Sequence, residues 1–114
     1  MITIIAYESK YQPEFKRLNL EWLDKYNLTE SHDLEILDDP EGTVLKGGGF
    51  IFLAMDEQAV AGTAGLWKEN KDEYELIKMA VDPVCQGKGI SKLLLEHCLG
   101  EAEKQGARKI FLFS

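Results

Sequence analysis

The sequence predicts an α/β domain of the α+β kind, with a mixed, mostly antiparallel central sheet flanked by helices. Short apolar, β-branched segments alternate with two longer segments in which apolar residues recur at helical spacing. Three of the apolar segments follow one another with short turns, which predicts an antiparallel meander. A strand, a helix and a strand end the chain, which predicts a parallel crossover. At 114 residues the chain suits one core, so we expect residues 1–114 to form a single domain.

The first half of the chain is expected to form a strand, a helix and an acidic segment. Residues 2–7 are apolar on both faces and predict a buried strand. A helix is predicted from Pro13, which suits a first helical turn, to about Tyr26, with its apolar stripe formed by Phe15, Leu18, Trp22, Leu23 and Tyr26. Residues 28–42 are acidic and irregular, with a short helix predicted near residues 31–37.

The second half is expected to supply the meander and the crossover. Strands are predicted over residues 50–55, 59–67 and 74–81, joined by a turn at 56–58 and a charged loop at 68–73. Gly62 and Gly65 indicate a bulge or a close backbone approach within the second of them. A helix over residues 89–105 follows, with Gly106 as its C′ residue, and residues 109–113 form the last strand.

Composition and charge argue against several classes of function. The net charge is −7 and there is no basic run, so neither nucleic acid nor an anionic membrane surface is an expected partner. Two cysteines, Cys85 and Cys98, are too few and too far apart for a disulfide framework or a zinc site, and we expect reduced thiols and no metal. The N-terminus has no basic region and only a short apolar run, so the expected location is the cytoplasm.

The junction between the third meander strand and the following helix carries the most chemical information. A helix N-terminus offers unpaired N–H groups and a partial positive charge, which together favour an anion. Gly87 and Gly89 remove side chains that would keep a diphosphate away from those amides, and Lys88 and Lys92 add positive charge. The alternative is a plain tight turn, because glycine is common between a strand and a helix. The loop matches neither a Walker A motif nor a dinucleotide fingerprint.

Residues 74–94, YELIKMAVDPVCQGKGISKLL, resemble the signature of the GNAT superfamily of N-acetyltransferases. That motif reads Gln/Arg-x-x-Gly-x-Gly/Ala between the fourth strand and the third helix. Gln86 and Gly89 match it, and Ser91 stands where glycine or alanine is usual. The predicted order of elements agrees with the family over the whole chain, although the motif itself is sharp only over residues 74–95.

The resemblance implies acetyl transfer from acetyl-CoA to a primary amine of a small molecule or peptide, by direct attack. It implies that backbone groups of the fourth strand hold the pantetheine arm and that amides of the loop hold the pyrophosphate. An amide near Ala80 would polarise the thioester carbonyl. The cofactor residues so implied are Met79, Ala80, Val81, Gln86, Gly87, Lys88, Gly89, Ile90 and Ser91.

Glu75 is the best candidate for a general base, because several family members carry their catalytic glutamate at this place in the motif. The alternative is that it pairs with Lys78 or a neighbouring strand. Tyr7 and Tyr74 are weaker candidates that we expect to pack. His32 and His97 are expected to be core or surface residues, and the rings of Trp22 and Trp67 are expected in the core, with Trp67 as a candidate for the edge of the acceptor pocket.

The acidic segment is a candidate for attracting the acceptor. It carries no lysine or arginine and six carboxylates: Glu30, Asp33, Glu35, Asp38, Asp39 and Glu41. In the family the equivalent segment borders the acceptor side of the groove, so we hypothesise that it attracts a cationic amine. The alternative is a solvated acidic loop.

The chain ends one strand after the cofactor helix, where family members continue with another helix and a strand pair. The expected fold is therefore the GNAT fold without its last elements, and no residue here maps to the tyrosine general acid of the missing helix. We expect either a fragment of a longer enzyme or a sheet completed by a partner chain, for example in a homodimer. A CoA-binding or regulatory module without turnover, and an α/β interaction domain without CoA affinity, stay open as alternatives.

Overall fold

The computed structural model describes residues 1–112 and shows a five-stranded sheet in the order β1-β2-β3-β4-β5. Neighbouring strands are antiparallel except β4 and β5, which are parallel. The predicted fold class, the meander and the crossover are confirmed. The helices and strands are β1 Ile2–Ala6, α1 Gln12–Lys25, α2 Ser31–Asp38, β2 Phe50–Asp56, β3 Ala59–Asn70, β4 Glu73–Val81, α3 Ile90–Lys104 and β5 Lys109–Leu112.

The boundaries differ from the predicted ones at the hairpin between β3 and β4. The sequence predicts a charged loop over residues 68–73, but Lys68 pairs with Tyr74 and Asn70 pairs with Glu73. Only two residues remain in the turn, because charged side chains that point into solvent do not prevent backbone pairing. Of the last predicted strand, residues 109–112 form β5, and Phe113 lies outside the described residues.

Small residues on β3 bring α3 close to the sheet. A Cβ atom at Gly62 would lie 3.0 Å from Ile90 Cγ2 and 3.1 Å from Leu94 Cδ1, so the predicted close approach is confirmed. The buried stripe of α3 is Ile90, Leu94, Cys98 and Ala102. The helix ends as predicted, with Gly106 at φ +79° in the C′ position.

The opposite face of the sheet is covered by α1 and α2. Phe15 and Leu18 of α1 and Leu37 of α2 are at most 2% exposed, and they pack toward Ile51 and Leu53 of β2. Between α2 and β2 the chain forms a single π-helical turn, Glu41–Leu45, where the sequence predicts only a turn. None of the helices in residues 1–112 is long and apolar enough to cross a membrane. The sheet therefore has helices on both faces, and β4 lies beside α1 and α3.

Candidate functional site

A bulge in β4 shapes the centre of the site. Thr63 pairs with Ala80 and Gly65 pairs with Ile77, so one residue of β3 faces two residues of β4, Lys78 and Met79. Lys78 has φ +51°, which is uncommon for a residue with a side chain. A bulge within β3, as its glycines predict, lies opposite β2 between Ala54 and Met55. The bulge at the site is a different one, with its extra residue on β4.

Two buried polar side chains hold this bulge. Thr63 donates through its hydroxyl to the carbonyl oxygen of Lys78 at 2.8 Å. The side-chain amide of Asn19 on α1 donates to the same hydroxyl at 3.1 Å and to the carbonyl of Phe15 at 2.8 Å. The bulge is thus tied through β3 to α1.

A cleft of about 290 Å³ opens between the C-terminal end of β4 and the start of α3. The structure brings together here eight of the nine cofactor residues that the resemblance implies, all except Lys88. Trp22 and Cys85 complete its lining. The cleft follows the backbone from the bulge to the glycine loop, which is the path that a long, flexible ligand ending in a diphosphate would need.

The glycine loop leaves the N-terminus of α3 uncovered. Gly89 is the N-cap residue in a left-handed conformation, no side chain caps the helix, and its first turn holds no acidic residue. The first N–H groups of a helix have no partner within it. Gly87 and Gly89 have φ values of +87° and +73°, and a Cβ atom on either would meet no other atom within 4 Å. Glycine is therefore needed at both positions for backbone conformation, and the space beside them is open.

Charged side chains border the loop without filling it. Lys88 is directed away from the cleft, with its Nζ 3.7 Å from Asp56 Oδ2. Asp82 begins the loop: one of its oxygens accepts from the Val84 amide at 3.0 Å, and the other lies 3.7 Å from the Arg17 guanidinium. Arg17, which also pairs with Glu14 and Glu21 on α1, thus links α1 to the start of the loop, a contact that the sequence does not predict.

A second cleft, of about 380 Å³, runs along β4 between α1 and the bulge. Trp22 and Met79 line both clefts, so the two are adjacent. The remaining lining residues are Asn19, Leu23, Leu28, Leu76, Ile77 and Lys78. This wall is mostly apolar, and no residue that lines it carries a negative charge.

Several carboxylates of the acidic segment already have partners. Asp33 forms an ion pair with Lys78, in which the two side chains are 15% and 11% exposed. Burial acts to raise the pKa of Asp33, but the hydrogen bonds from Lys78 and from the Glu30 amide outweigh it and lower that pKa below its ordinary value. Asp38 pairs with Lys16, and Asp39 accepts from the Gly42 amide at 2.9 Å. These groups brace α2 against its surroundings.

Glu75 lies outside both clefts, in a depression that it shares with Glu69, Asn70, Glu73 and Phe111. In the sheet it stands opposite Trp67 of β3 and Phe111 of β5. Burial and the neighbouring Glu69 carboxylate raise the pKa of Glu75 above its ordinary value, against the opposing effect of Lys78. A raised pKa suits a group that takes up a proton near neutral pH.

The other candidate side chains pack as the sequence predicts. Tyr74 is 1% exposed in the core beneath α3. The Tyr7 hydroxyl is buried, and burial, followed by the charges of Glu41 and Asp39, raises its pKa to about 12. His97 packs edge-on against Phe52, with ring centroids 4.5 Å apart. Both cysteines are free thiols, and within residues 1–112 no three His, Cys, Asp or Glu side chains form a group that could hold a metal ion.

Comparison with known protein families gives a match over most of the chain. The model of the acetyltransferase (GNAT) family matches residues 8–114. The chain belongs to the GNAT acetyltransferase family. The resemblance carried by residues 74–94 is thereby confirmed.

Solved structures agree with this assignment. This GNAT domain is similar over its whole length to a GNAT-family acetyltransferase from Staphylococcus aureus, with 27% identity and a TM-score of 0.89, and it covers 73% of that chain. A GNAT-family acetyltransferase from Brucella melitensis in complex with acetyl-CoA is 20% identical, with a TM-score of 0.85 and with 100% and 76% of the two chains covered.

A predicted acetyltransferase from Clostridium acetobutylicum, solved with acetyl-CoA, is 15% identical to this GNAT domain, with a TM-score of 0.82 and with 100% and 81% of the two chains covered. Comparison with curated protein sequences gives no match. The solved structures therefore support the GNAT fold.

Two side chains at the site of this GNAT domain were not predicted. Trp22 was expected in the core but is 44% exposed and lines both clefts, because this end of the apolar stripe of α1 faces the open clefts beside β4. Asn19 is 3% exposed. It follows Phe15 by four residues and precedes Trp22 by three, so helical spacing places a polar residue on the buried stripe. A polar residue on an apolar stripe is a pattern that predicts a buried hydrogen-bonding side chain.

Proposed function

We propose that this GNAT domain binds acetyl-CoA in the first cleft and transfers its acetyl group to a primary amine that enters from the second. The observation that carries the proposal is the uncapped, glycine-flanked N-terminus of α3 at one end of a cleft whose wall is the bulged part of β4. The Brucella melitensis and Clostridium acetobutylicum proteins, which have the same fold, were solved with acetyl-CoA, and this supports the same ligand here.

In the proposed complex the main chain does most of the binding. The free amides at the start of α3 donate to the pyrophosphate, and the partial positive charge of the helix N-terminus favours its negative charge. Lys88, whose side chain is directed toward Asp56, contributes through its amide. The pantetheine arm follows Met79, Ala80 and Val81, which line the same cleft. This arrangement tolerates varied side chains in the loop, because backbone groups make the contacts.

The proposed reaction is direct attack of the amine nitrogen on the thioester carbonyl. A C–N bond forms, the C–S bond breaks, and the proton lost by the amine balances the charge on the departing thiolate. An amine with an ordinary pKa near 10.4 must first be deprotonated, which costs about 4–5 kcal/mol at pH 7. In the proposed reaction a backbone amide near Ala80 stabilises the oxyanion, because such a hydrogen bond strengthens as charge develops.

Glu75 is the proposed general base, and it acts through water. It lies four residues before Met79 on β4, and at about 3.3 Å per residue this separates it from the bulge by more than a direct proton transfer allows. Its raised pKa favours proton uptake from a bound water chain. Glu75 lies outside both clefts, and this observation favours a second candidate function, that of a domain that binds acetyl-CoA without turnover.

Release of free thiol from acetyl-CoA separates these two functions. The catalytic proposal expects thiol release that depends on an added amine and saturates with its concentration. If the protein binds acetyl-CoA but releases no thiol with any amine, the domain is a binding module and the catalytic proposal is wrong.

We propose that the acceptor amine carries an apolar group. The second cleft has an apolar wall, and Lys78, the charged residue among those that line it, is paired with Asp33. The hypothesis of a cationic acceptor stays a prediction that rests on the carboxylates of the acidic segment, of which Asp33 and Asp38 are already paired.

A panel of amines tests the acceptor class. 2-Phenylethylamine should give a kcat/KM at least about tenfold above that of ethylamine, because burying an aromatic ring contributes about 1.5–3 kcal/mol. Spermidine should gain no such advantage. A preference for spermidine over both would contradict the apolar acceptor and support attraction by the acidic segment.

A further inference from the structure

Two buried polar side chains of this domain form a chain of hydrogen bonds that ends on one backbone atom. The side chains are those of Asn19 and Thr63, which are 3% and 0% exposed. Placing a polar group in a core is unfavourable unless its hydrogen bonds are made. Here the amide of Asn19 donates to the Thr63 hydroxyl, and that hydroxyl donates to the carbonyl of Lys78. The chain of donors runs in one direction, from α1 through β3 to the bulge of β4.

The Lys78 carbonyl is the point at which β4 leaves regular pairing. Register with β3 is regular from Tyr74 to Ile77 and resumes at Ala80. The left-handed conformation of Lys78, at φ +51°, costs about 1–2 kcal/mol for a residue with a side chain. At this interruption of the ladder, the carbonyl of Lys78 accepts a hydrogen bond from the Thr63 hydroxyl. Without that donor the bulge would keep its strain and lose its hydrogen bond.

The residues that follow Lys78 on β4 line the first cleft. Met79 lines both clefts, and Ala80 lines the first. The direction of their backbone groups depends on the conformation of Lys78, because a change in its φ or ψ rotates the peptide that follows. We infer that Asn19 and Thr63 are positioning residues, which hold the β4 bulge so that the backbone of Met79 and Ala80 is aimed at acetyl-CoA. This inference rests on the proposed function.

The side chain of Lys78 makes a separate contact. Its ammonium group pairs with Asp33 of α2. That contact fixes the side chain, whereas Thr63 fixes the carbonyl, so the two can be broken separately. The contact with Thr63 holds the carbonyl of Lys78, which belongs to the peptide group between Lys78 and Met79.

Two substitutions at Thr63 separate the hydroxyl from the shape of the side chain. Thr63→Val keeps the shape and removes the donor, and Thr63→Ser keeps the donor and removes a methyl group. We expect Thr63→Val to weaken acetyl-CoA binding about tenfold, the size of one buried hydrogen bond, and Thr63→Ser to stay within about threefold of wild type. The readouts are calorimetric Kd and kcat for amine-dependent thiol release.

Asn19→Leu gives a second test if Thr63→Val folds poorly. It leaves the Thr63 hydroxyl able to donate to the Lys78 carbonyl, so the expected loss of affinity is smaller than that of Thr63→Val. The double variant with Thr63→Val should bind no worse than Thr63→Val alone, because both changes break one chain of contacts. Additive losses would contradict a shared role.

Cys98→Ala is the control for stability. Cys98 is 0% exposed on α3 and lies more than two turns from its N-terminus, so its truncation lowers the melting temperature without touching the bulge. A merely structural role predicts that Thr63→Val loses no more affinity than Cys98→Ala does, and this result would overturn the inference. If wild-type protein binds no acetyl-CoA, the proposed function itself is wrong, which is a different outcome.

Discussion

Replacing Gly89 with leucine should weaken acetyl-CoA binding by at least about a hundredfold. A hydrogen bond to a charged group contributes about 1.5–3 kcal/mol, and a side chain here would keep the pyrophosphate from two or more amides. The space beside Gly89 is open, with no atom within 4 Å of a Cβ position, so the leucine would occupy the cleft rather than clash with the protein. Gly87→Leu should act in the same direction.

Gly106 offers a matched control for this change. It lies at the other end of α3 with φ +79°, close to the +73° of Gly89, and it also has no atom within 4 Å of a Cβ position. Gly106→Leu therefore carries a similar backbone strain far from the cleft. Calorimetry should show affinity within about twofold of wild type for this variant. If Gly89→Leu and Gly106→Leu bind acetyl-CoA equally well, the glycine loop is a tight turn and nothing more.

Glu75→Gln should lower kcat/KM by about 10²–10⁴-fold while leaving the Kd for acetyl-CoA unchanged, since this is the usual contribution of a general base. Glutamine keeps the size of the side chain but cannot accept the proton. Glu73→Gln is the control, because Glu73 is on the same strand and shares the same depression. Initial rates with saturating acetyl-CoA measure the effect. Equal rates for the two variants would remove Glu75 from the mechanism.

The pH dependence of the rate provides an independent check on Glu75. A base works only when deprotonated, so kcat should rise as pH rises through the pKa of Glu75, which burial and then Glu69 place above the ordinary glutamate value of 4.5. Glu69→Gln removes the second of these causes and should move that rise to lower pH. In Glu75→Gln the rise should be absent.

The sequence was sufficient for the order of elements, because each strand and helix carries its own periodicity. It also placed the glycine loop, since Gly87 and Gly89 interrupt apolar segments on both sides. The loop over residues 68–73 was predicted wrongly. Charged side chains there obscured a strand that continues to Asn70 in solvent, where backbone pairing and not side-chain burial decides the conformation.

The parts of the site that were missed depend on distant pairs. Asn19 and Thr63 are 44 residues apart in sequence, and their hydrogen bond exists only once α1 lies on β3. The exposure of Trp22 likewise depends on how α1 lies beside β4, where the two clefts are open. Asp33 pairs with Lys78 and Asp38 pairs with Lys16, and both lysines lie outside the acidic segment. The sequence of that segment alone therefore does not show that these negative charges are neutralised.

The predicted homodimer concerns the edge strand β5. It lies at the end of the sheet beside β4, and Leu112 is 55% exposed. A homodimer that covers this edge remains a prediction.

Mapping amide chemical shifts during a titration with acetyl-CoA tests the central claim most directly, because the claim concerns backbone N–H groups. The account predicts that the largest changes fall on the amides of Gly87, Lys88, Gly89, Ile90 and Ser91, at the start of α3. Smaller changes should follow along Met79 and Ala80. Binding that leaves the amides of residues 87–91 unchanged, with shifts centred elsewhere in the domain, would contradict it.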